Sequence, residues 1–216
     1  MSLVSHYFNQ PSIDPVHYFK LNGMVATQKY SLLSARWLFS ATGFDLGTRI
    51  LLKHFDLSST WQASILDFGC GYWLISNFLA HQYHQKKFPD LSHLHIDACD
   101  SSPLAADVTQ ANFKNQSIKN LTYNTICSDL LSDVYFFDKK YDVIVTNPPF
   151  SAGKSTVKEF IQSSYDHLVE WWVLWMVVPT NKWAKSYVTI TGSIFWEYKV
   201  HIVALEAGYR VRTATK

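Results

Sequence analysis

Apolar residues along this chain fall into short runs of strand length, separated by stretches where they recur every three or four positions. Residues 65–71 form a short apolar run that ends in Asp67 and a Gly-x-Gly turn. Further runs cover residues 94–99, 121–127 and 141–146. Val143, Ile144 and Val145 give the last of these the β-branched bulk of a buried strand. After the first run, Leu74, Ile75, Phe78 and Leu79 stand at helical spacing. Residues 28–39, 47–57 and 153–168 also read as helices, the second starting near Asp45 as its cap. Residues 171–178 predict a fifth strand, and residues 198–206 and 209–215 a hairpin around Ala207-Gly208. Strands alternating with helices predict an α/β fold with a doubly wound, mostly parallel sheet. One domain is expected over residues 28–216. Residues 1–27 carry Pro11, Pro15 and Asn22-Gly23, and read as an irregular arm whose Tyr7, Phe8, Tyr18 and Phe19 cap the sheet or cover a cleft.

Composition narrows the class without naming it. The 216 residues, 48% of them hydrophobic, suit one domain with an ample core. A net charge of +2 leaves any nucleic-acid contact to a local patch, for which Arg210, Arg212 and Lys216 are the candidates. Charges guarding an exposed edge strand explain the same residues equally well. Cys70, Cys99 and Cys127 show no Cys-x-x-Cys spacing, which fits reduced thiols in a cytoplasmic enzyme. No signal peptide is expected from residues 1–27, and the most apolar stretch, residues 170–179, is too short to span a membrane. His81-x-x-His84 and His93-x-His95 lack carboxylate or cysteine companions, so no metal is expected. Gly153-Lys154-Ser155 is not a phosphate loop, because Pro148 stands where that loop needs glycine.

The chemistry collects at the ends of the runs. Gly69 and Gly71, at a strand-to-helix turn, let the backbone approach a ligand beside free helix N–H donors, with Asp67 just ahead of them. Asp100 ends the second strand, where a carboxylate can accept both hydroxyls of a ribose. Asp129 follows the third and is placed to accept from an adenine amino group. Asn147-Pro148-Pro149-Phe150 closes the fourth. Two prolines hold the backbone nearly rigid, so the Asn147 side-chain oxygen and the Pro148 carbonyl offer two fixed acceptors for a planar amine. Phe150 offers a ring to stack on it. A nicotinamide dehydrogenase would share the glycine turn but gives no reason for Asn-Pro-Pro-Phe.

Taken together, these residues resemble a class I S-adenosylmethionine-dependent methyltransferase of the Asn-Pro-Pro-(Phe/Tyr) group. More narrowly, the chain is similar to the catalytic domain of the small-subunit ribosomal RNA guanine methyltransferase C family. The resemblance rests on Phe44-Asp45-Leu46-Gly47-Thr48-Arg49, on Leu66-Asp67-Phe68-Gly69-Cys70-Gly71, and on residues 141–150 with the following Ala152-Gly153-Lys154. It implies a seven-stranded Rossmann-like sheet whose last strand is antiparallel, and S-adenosylmethionine as cofactor. It further implies transfer to a nucleobase exocyclic amine, guanine N2 of ribosomal RNA, with Asn147, Pro148 and Phe150 at the acceptor. Asp67, Gly69, Gly71, Asp100 and Asp129 would hold the cofactor. Protein glutamine and DNA adenine remain alternative acceptors. Three departures stand out. Trp73 replaces a third glycine and is expected as a partly buried ring beside the cofactor, which also leaves open a binding protein with weakened cofactor affinity. Ser151 stands where the family often has His. The duplicated front domain common in that family is not expected within these 216 residues.

Overall fold

The computed structural model describes residues 15–57, 60–114, 116–180 and 184–216. It opens with a hairpin, β1 (Tyr18–Val25) and β2 (Gln28–Ala35), followed by α1 (Leu46–His54), β3 (Gln62–Phe68), α2 (Leu74–His84), β4 (His93–Asp100) and α3 (Pro103–Lys114). Then come β5 (Leu121–Cys127), β6 (Tyr141–Thr146), α4 (Lys154–His167), β7 (Leu168–Pro179), α5 (Ala184–Phe195) and the closing pair β8 (Val200–Glu206) and β9 (Tyr209–Thr215). The seven-stranded sheet runs β5-β4-β3-β6-β7-β9-β8. Its first five strands are parallel, and β9 lies antiparallel between β7 and β8. This is the doubly wound sheet with an antiparallel closing strand that the periodicity and the resemblance lead one to expect.

Alternation along the central strands feeds two cores. Ile65, Ile96, Val143 and Val145 face α1, α2, α3 and the hairpin; Leu66, Ile144, Leu174 and Met176 face α4 and α5. Strands buried on both faces read as continuous apolar runs, which is why β3 and β6 are so visible in the sequence. Strand order reverses between β3 and β6, the place where an open α/β sheet leaves a crevice at the carboxyl ends of its strands.

Two expectations at the front of the chain are corrected. Residues 28–39 are not a helix, and Tyr18 and Phe19 belong to a strand rather than an irregular arm. Tyr7 and Phe8 lie outside the described residues. The hairpin was hidden because its turn uses Ala26-Thr27, with Ala26 held at φ 49°, instead of the Gly or Asn that normally signals such a turn. Tyr30 and Leu32 are buried at spacing two, and the hairpin is fastened to α3 by Asn112. That side chain accepts from Leu33 N (2.8 Å) and donates to Leu33 O (2.9 Å) and Tyr72 O (3.1 Å). Helix α5 is also an addition to the elements read from the sequence.

Two buried carboxylates on neighbouring strands show what partners decide. Burial alone would push Asp97 up, but hydrogen bonds from His95, Asn124 and Tyr141 outweigh it and hold its carboxyl below the usual range. Asp67 has only the Ser76 N–H (3.0 Å) and hydroxyl (2.6 Å) on Oδ2, while its Oδ1 is buried without a partner. Desolvation therefore prevails and raises Asp67 to about 7.

Candidate active site

A cavity of about 400 Å³ opens along the carboxyl ends of β4, β3, β6 and β7. At one end lie Asp100, Ser101, Ser102, Ser128 and Asp129, with Gly69 and Gly71 beside them. The turn after β3 explains its glycines: Gly69 and Gly71 sit at φ 80° and 54°, in the left-handed region where a side chain strains the backbone. The turn is tied to β4 through Gly69 N and Cys70 N, which both donate to Cys99 O (2.8 and 3.0 Å). Asp100 closes the next strand with both oxygens already accepting, Oδ2 from Gly71 N (3.0 Å) and Oδ1 from Ser102 N (2.9 Å). Burial pushes its carboxyl up, and these backbone N–H groups pull against that shift. The exposed Asp129 reaches the same cavity after β5. Phe68 and Phe160, stacked with ring centres 3.5 Å apart, line it from below.

Asp67 is not in the wall. Its carboxylate is fully buried and is bonded to Ser76 in the first turn of α2, away from the cavity lining. Trp73 is likewise corrected. Its backbone keeps the left-handed conformation (φ 83°) that the missing glycine would adopt freely, yet the ring is 1% exposed and turns into the core. There it packs on Phe113 at 4.2 Å, and Phe113 stacks on Tyr123 at 3.8 Å. The ring does not line the cavity.

At the other end stand Asn147, Pro148, Pro149 and Phe150. Pro149 sits at φ −77°, ψ 71°, and Phe150 N donates to Pro148 O at 2.8 Å, so an inverse γ-turn fixes the Pro148 carbonyl and uses one of its lone pairs. Phe150 lies 4.7 Å from the Tyr187 ring, and Tyr187 donates to its carbonyl (3.3 Å). The Asn147 side-chain nitrogen donates to Asp45 Oδ2 (2.9 Å) and Thr48 Oγ1 (3.0 Å). The same Asp45 oxygen caps α1 by accepting from Thr48 N at 2.7 Å.

Sequence reading missed part of this end. Asp45 is read as a helix cap and as part of the resemblance but not as a site residue, and Trp37, Phe39, Pro179 and Tyr209 have no site role in the sequence reading, yet all five line the cavity. The spacing Asp45-x-Gly47 was the available signal. A Cβ on Gly47 would stand 2.9 Å from the Tyr209 ring, so glycine lets that ring close on the start of α1. The C-terminal charges, read equally as a basic patch or as guards of an edge strand, sit on or just after β9, which is no edge because it lies between β7 and β8. Arg212 is 6% exposed, and Lys216 donates to Leu168 O (3.0 Å) while lying over the Tyr165 ring. Among the described residues no cluster of three or more His, Cys, Asp or Glu is placed to hold a metal ion, and no helix is long and apolar enough to cross a membrane.

A Rossmann-like sheet with a glycine turn, two acidic strand ends and a rigid Asn-Pro-Pro-Phe corner on one cavity defines a class I methyltransferase domain. The model of the methyltransferase small domain matches residues 29–212, and the chain belongs to that family of S-adenosylmethionine-dependent methyltransferases. It is 29% identical to the uncharacterized protein YbxB of Bacillus subtilis, over 87% of this chain and 86% of that one. It is 32% identical to the ribosomal RNA small subunit methyltransferase C of Pseudoalteromonas translucida, over 68% of this chain but 39% of that protein. In fold it is similar to the Thermus thermophilus 16S rRNA N2 G1207 methyltransferase, solved with AdoMet and guanosine: TM-score 0.72, 19% identity, 95% of this chain and 52% of that one. The chain thus spans about two fifths to one half of these RNA-methylating relatives. The ribosomal protein L11 methylase of Lactobacillus delbrueckii shares the fold at TM-score 0.57 and 16% identity, covering 83% of this chain and 81% of its own. Fold alone therefore does not choose the acceptor.

Proposed function

We propose that this chain moves the methyl group of S-adenosylmethionine to an exocyclic nucleobase amine, guanine N2 in small-subunit ribosomal RNA, in the cytoplasm. The observation that carries the reading is that Asp100 and Asp129 share one cavity with Asn147-Pro148-Pro149-Phe150. In this reading Asp100 accepts from the cofactor's ribose hydroxyls and Asp129 from its adenine. Gly69 and Gly71 let the backbone close on the methionine part, and Asp67, bonded to Ser76, fixes the start of α2 that follows the turn. Asn147 Oδ1 and the free lone pair of the Pro148 carbonyl accept from the amine, and Phe150 stacks on the extruded base.

In the chemical step the amine nitrogen's lone pair forms a bond to the methyl carbon, and the carbon–sulfur bond breaks with its electron pair left on sulfur. One proton then leaves the nitrogen for solvent at the mouth of the cavity. Positive charge grows on nitrogen during the attack, so two fixed, partly negative oxygens aim the lone pair and stabilise that charge together. Stacking on Phe150 contributes roughly 1–3 kcal/mol, sequence-tolerant and suited to a splayed single-stranded base.

The test is transfer of a labelled methyl group to small-subunit ribosomal RNA, free and in stripped subunits, followed by nucleoside analysis. The expected product is N2-methylguanosine. Label appearing on protein glutamine, on DNA adenine, or on no acceptor overturns the RNA reading.

A further inference from the structure

Asp45 does more than cap a helix. An amide nitrogen only donates, and that of Asn147 faces two acceptors, Asp45 Oδ2 at 2.9 Å and Thr48 Oγ1 at 3.0 Å. Thr48 in turn donates its hydroxyl to Asp45 Oδ2 at 3.0 Å, so the Asp45 oxygen gathers the donors of this corner. A carboxylate can only accept, and it would repel the amide oxygen. The orientation of the Asn147 amide is therefore set by chemistry: nitrogen toward Asp45, with the oxygen left for whatever enters the cavity. Without Asp45 the amide is free to turn over and present an N–H where an amine acceptor also carries N–H groups.

We propose that Asp45, seconded by Thr48, is the positioning residue for the methyl-acceptor end of the site. It holds Asn147 in the one orientation that can accept from an incoming amine. Its negative charge also polarises the amide, making the oxygen a stronger acceptor as positive charge grows on the attacking nitrogen. Gly47 completes the arrangement by admitting the Tyr209 ring to the same corner of the cavity. Burial first, and the nearby Asp45 charge second, push the Tyr209 phenol up, so that ring stays neutral beside the carboxylate. This inference rests on the reading of Asn147 as the residue that meets the acceptor amine.

Three variants test it on the full chain: Asp45→Ala, Asp45→Asn and Asp45→Ser. Ser is a good helix cap but too short to reach Asn147, so it separates capping from positioning. Asp45→Ala and Asp45→Ser should lower kcat by roughly ten- to a hundredfold, the usual effect of removing a group that orients a functional side chain. The KM for RNA and the Kd for S-adenosylmethionine should stay within about threefold. Asp45→Asn keeps one accepting oxygen but loses the charge and gains an N–H donor, so it should recover only part of that kcat.

A second readout needs no turnover. The Asn147 side-chain amide protons, identified by NMR as the resonances missing from Asn147→Ala, should exchange slowly in the wild type and rapidly in Asp45→Ser. Full kcat in Asp45→Ser, or unprotected Asn147 protons in the wild type, would overturn the inference. If the wild type methylates no RNA, the proposed function fails, and the exchange measurement still decides whether Asp45 holds Asn147.

Discussion

The two ends of the cavity are built in different ways. The end holding Gly69, Gly71 and Asp100 comes from the tips of adjacent parallel strands, and its polar groups are held by backbone amides within three residues of those tips. The end holding Asn147 is assembled from segments far apart in the chain: the start of α1, the end of β6, and Tyr209 on the last strand. A local framework suits a cofactor that is the same in every member of a large class. An assembled one can change its acceptor by altering one segment while the rest of the fold stays put. On this account the two ends should respond separately to mutation.

The sharpest break in the comparison is Asn147→Ala. Losing the oriented acceptor should lower turnover by roughly a hundred- to a thousandfold, as removal of a single transition-state hydrogen bond does elsewhere, measured as labelled methyl transfer. Trp73→Gly comes next. It relieves a left-handed residue but empties the space packed against Phe113, so a net loss of about 2–4 kcal/mol in denaturant unfolding is expected. Cofactor affinity should not rise, because the ring lies outside the cavity. Asp100→Ala should weaken cofactor binding by roughly ten- to a hundredfold while leaving Asn147 and its partners in place, read by calorimetric titration.

The most gradual effect, spread over several pH units, belongs to Asp67. Its folded carboxyl keeps its proton to about 7 instead of 3.8, so across that window the folded state binds a proton that the unfolded chain has released. Stability should fall as pH rises through the window, by at most about 1.4 kcal/mol per unit. Asp67→Asn keeps an acceptor for Ser76 and removes the titration. Its melting curve should lack this contribution to the slope between pH 4 and 7, and a slope identical to wild type would contradict the assignment.

The contrast between the two ends also explains what was legible beforehand. Gly69, Gly71, Asp100 and Asn147 announce themselves because each ends an apolar run, and the strands are buried on both faces. The anchoring of Asn147 by Asp45 spans 102 residues, a relation that spacing along the chain cannot carry. Trp73 was misplaced for a related reason. The backbone at that position does what a glycine would do, but the direction of the ring depends on Phe113, forty residues away. The β1–β2 hairpin stayed hidden because Ala26 takes a conformation its neighbours do not advertise. Tyr30 and Leu32, buried at spacing two, were outweighed by the helical reading of residues 28–39.

Separability of the two ends is tested most directly by titrating S-adenosylmethionine into Asn147→Ala in a calorimeter. The account predicts an affinity within about threefold of wild type in a variant that no longer transfers methyl groups. A loss of cofactor binding as large as that of Asp100→Ala would contradict it, because Asn147 would then belong to the cofactor end.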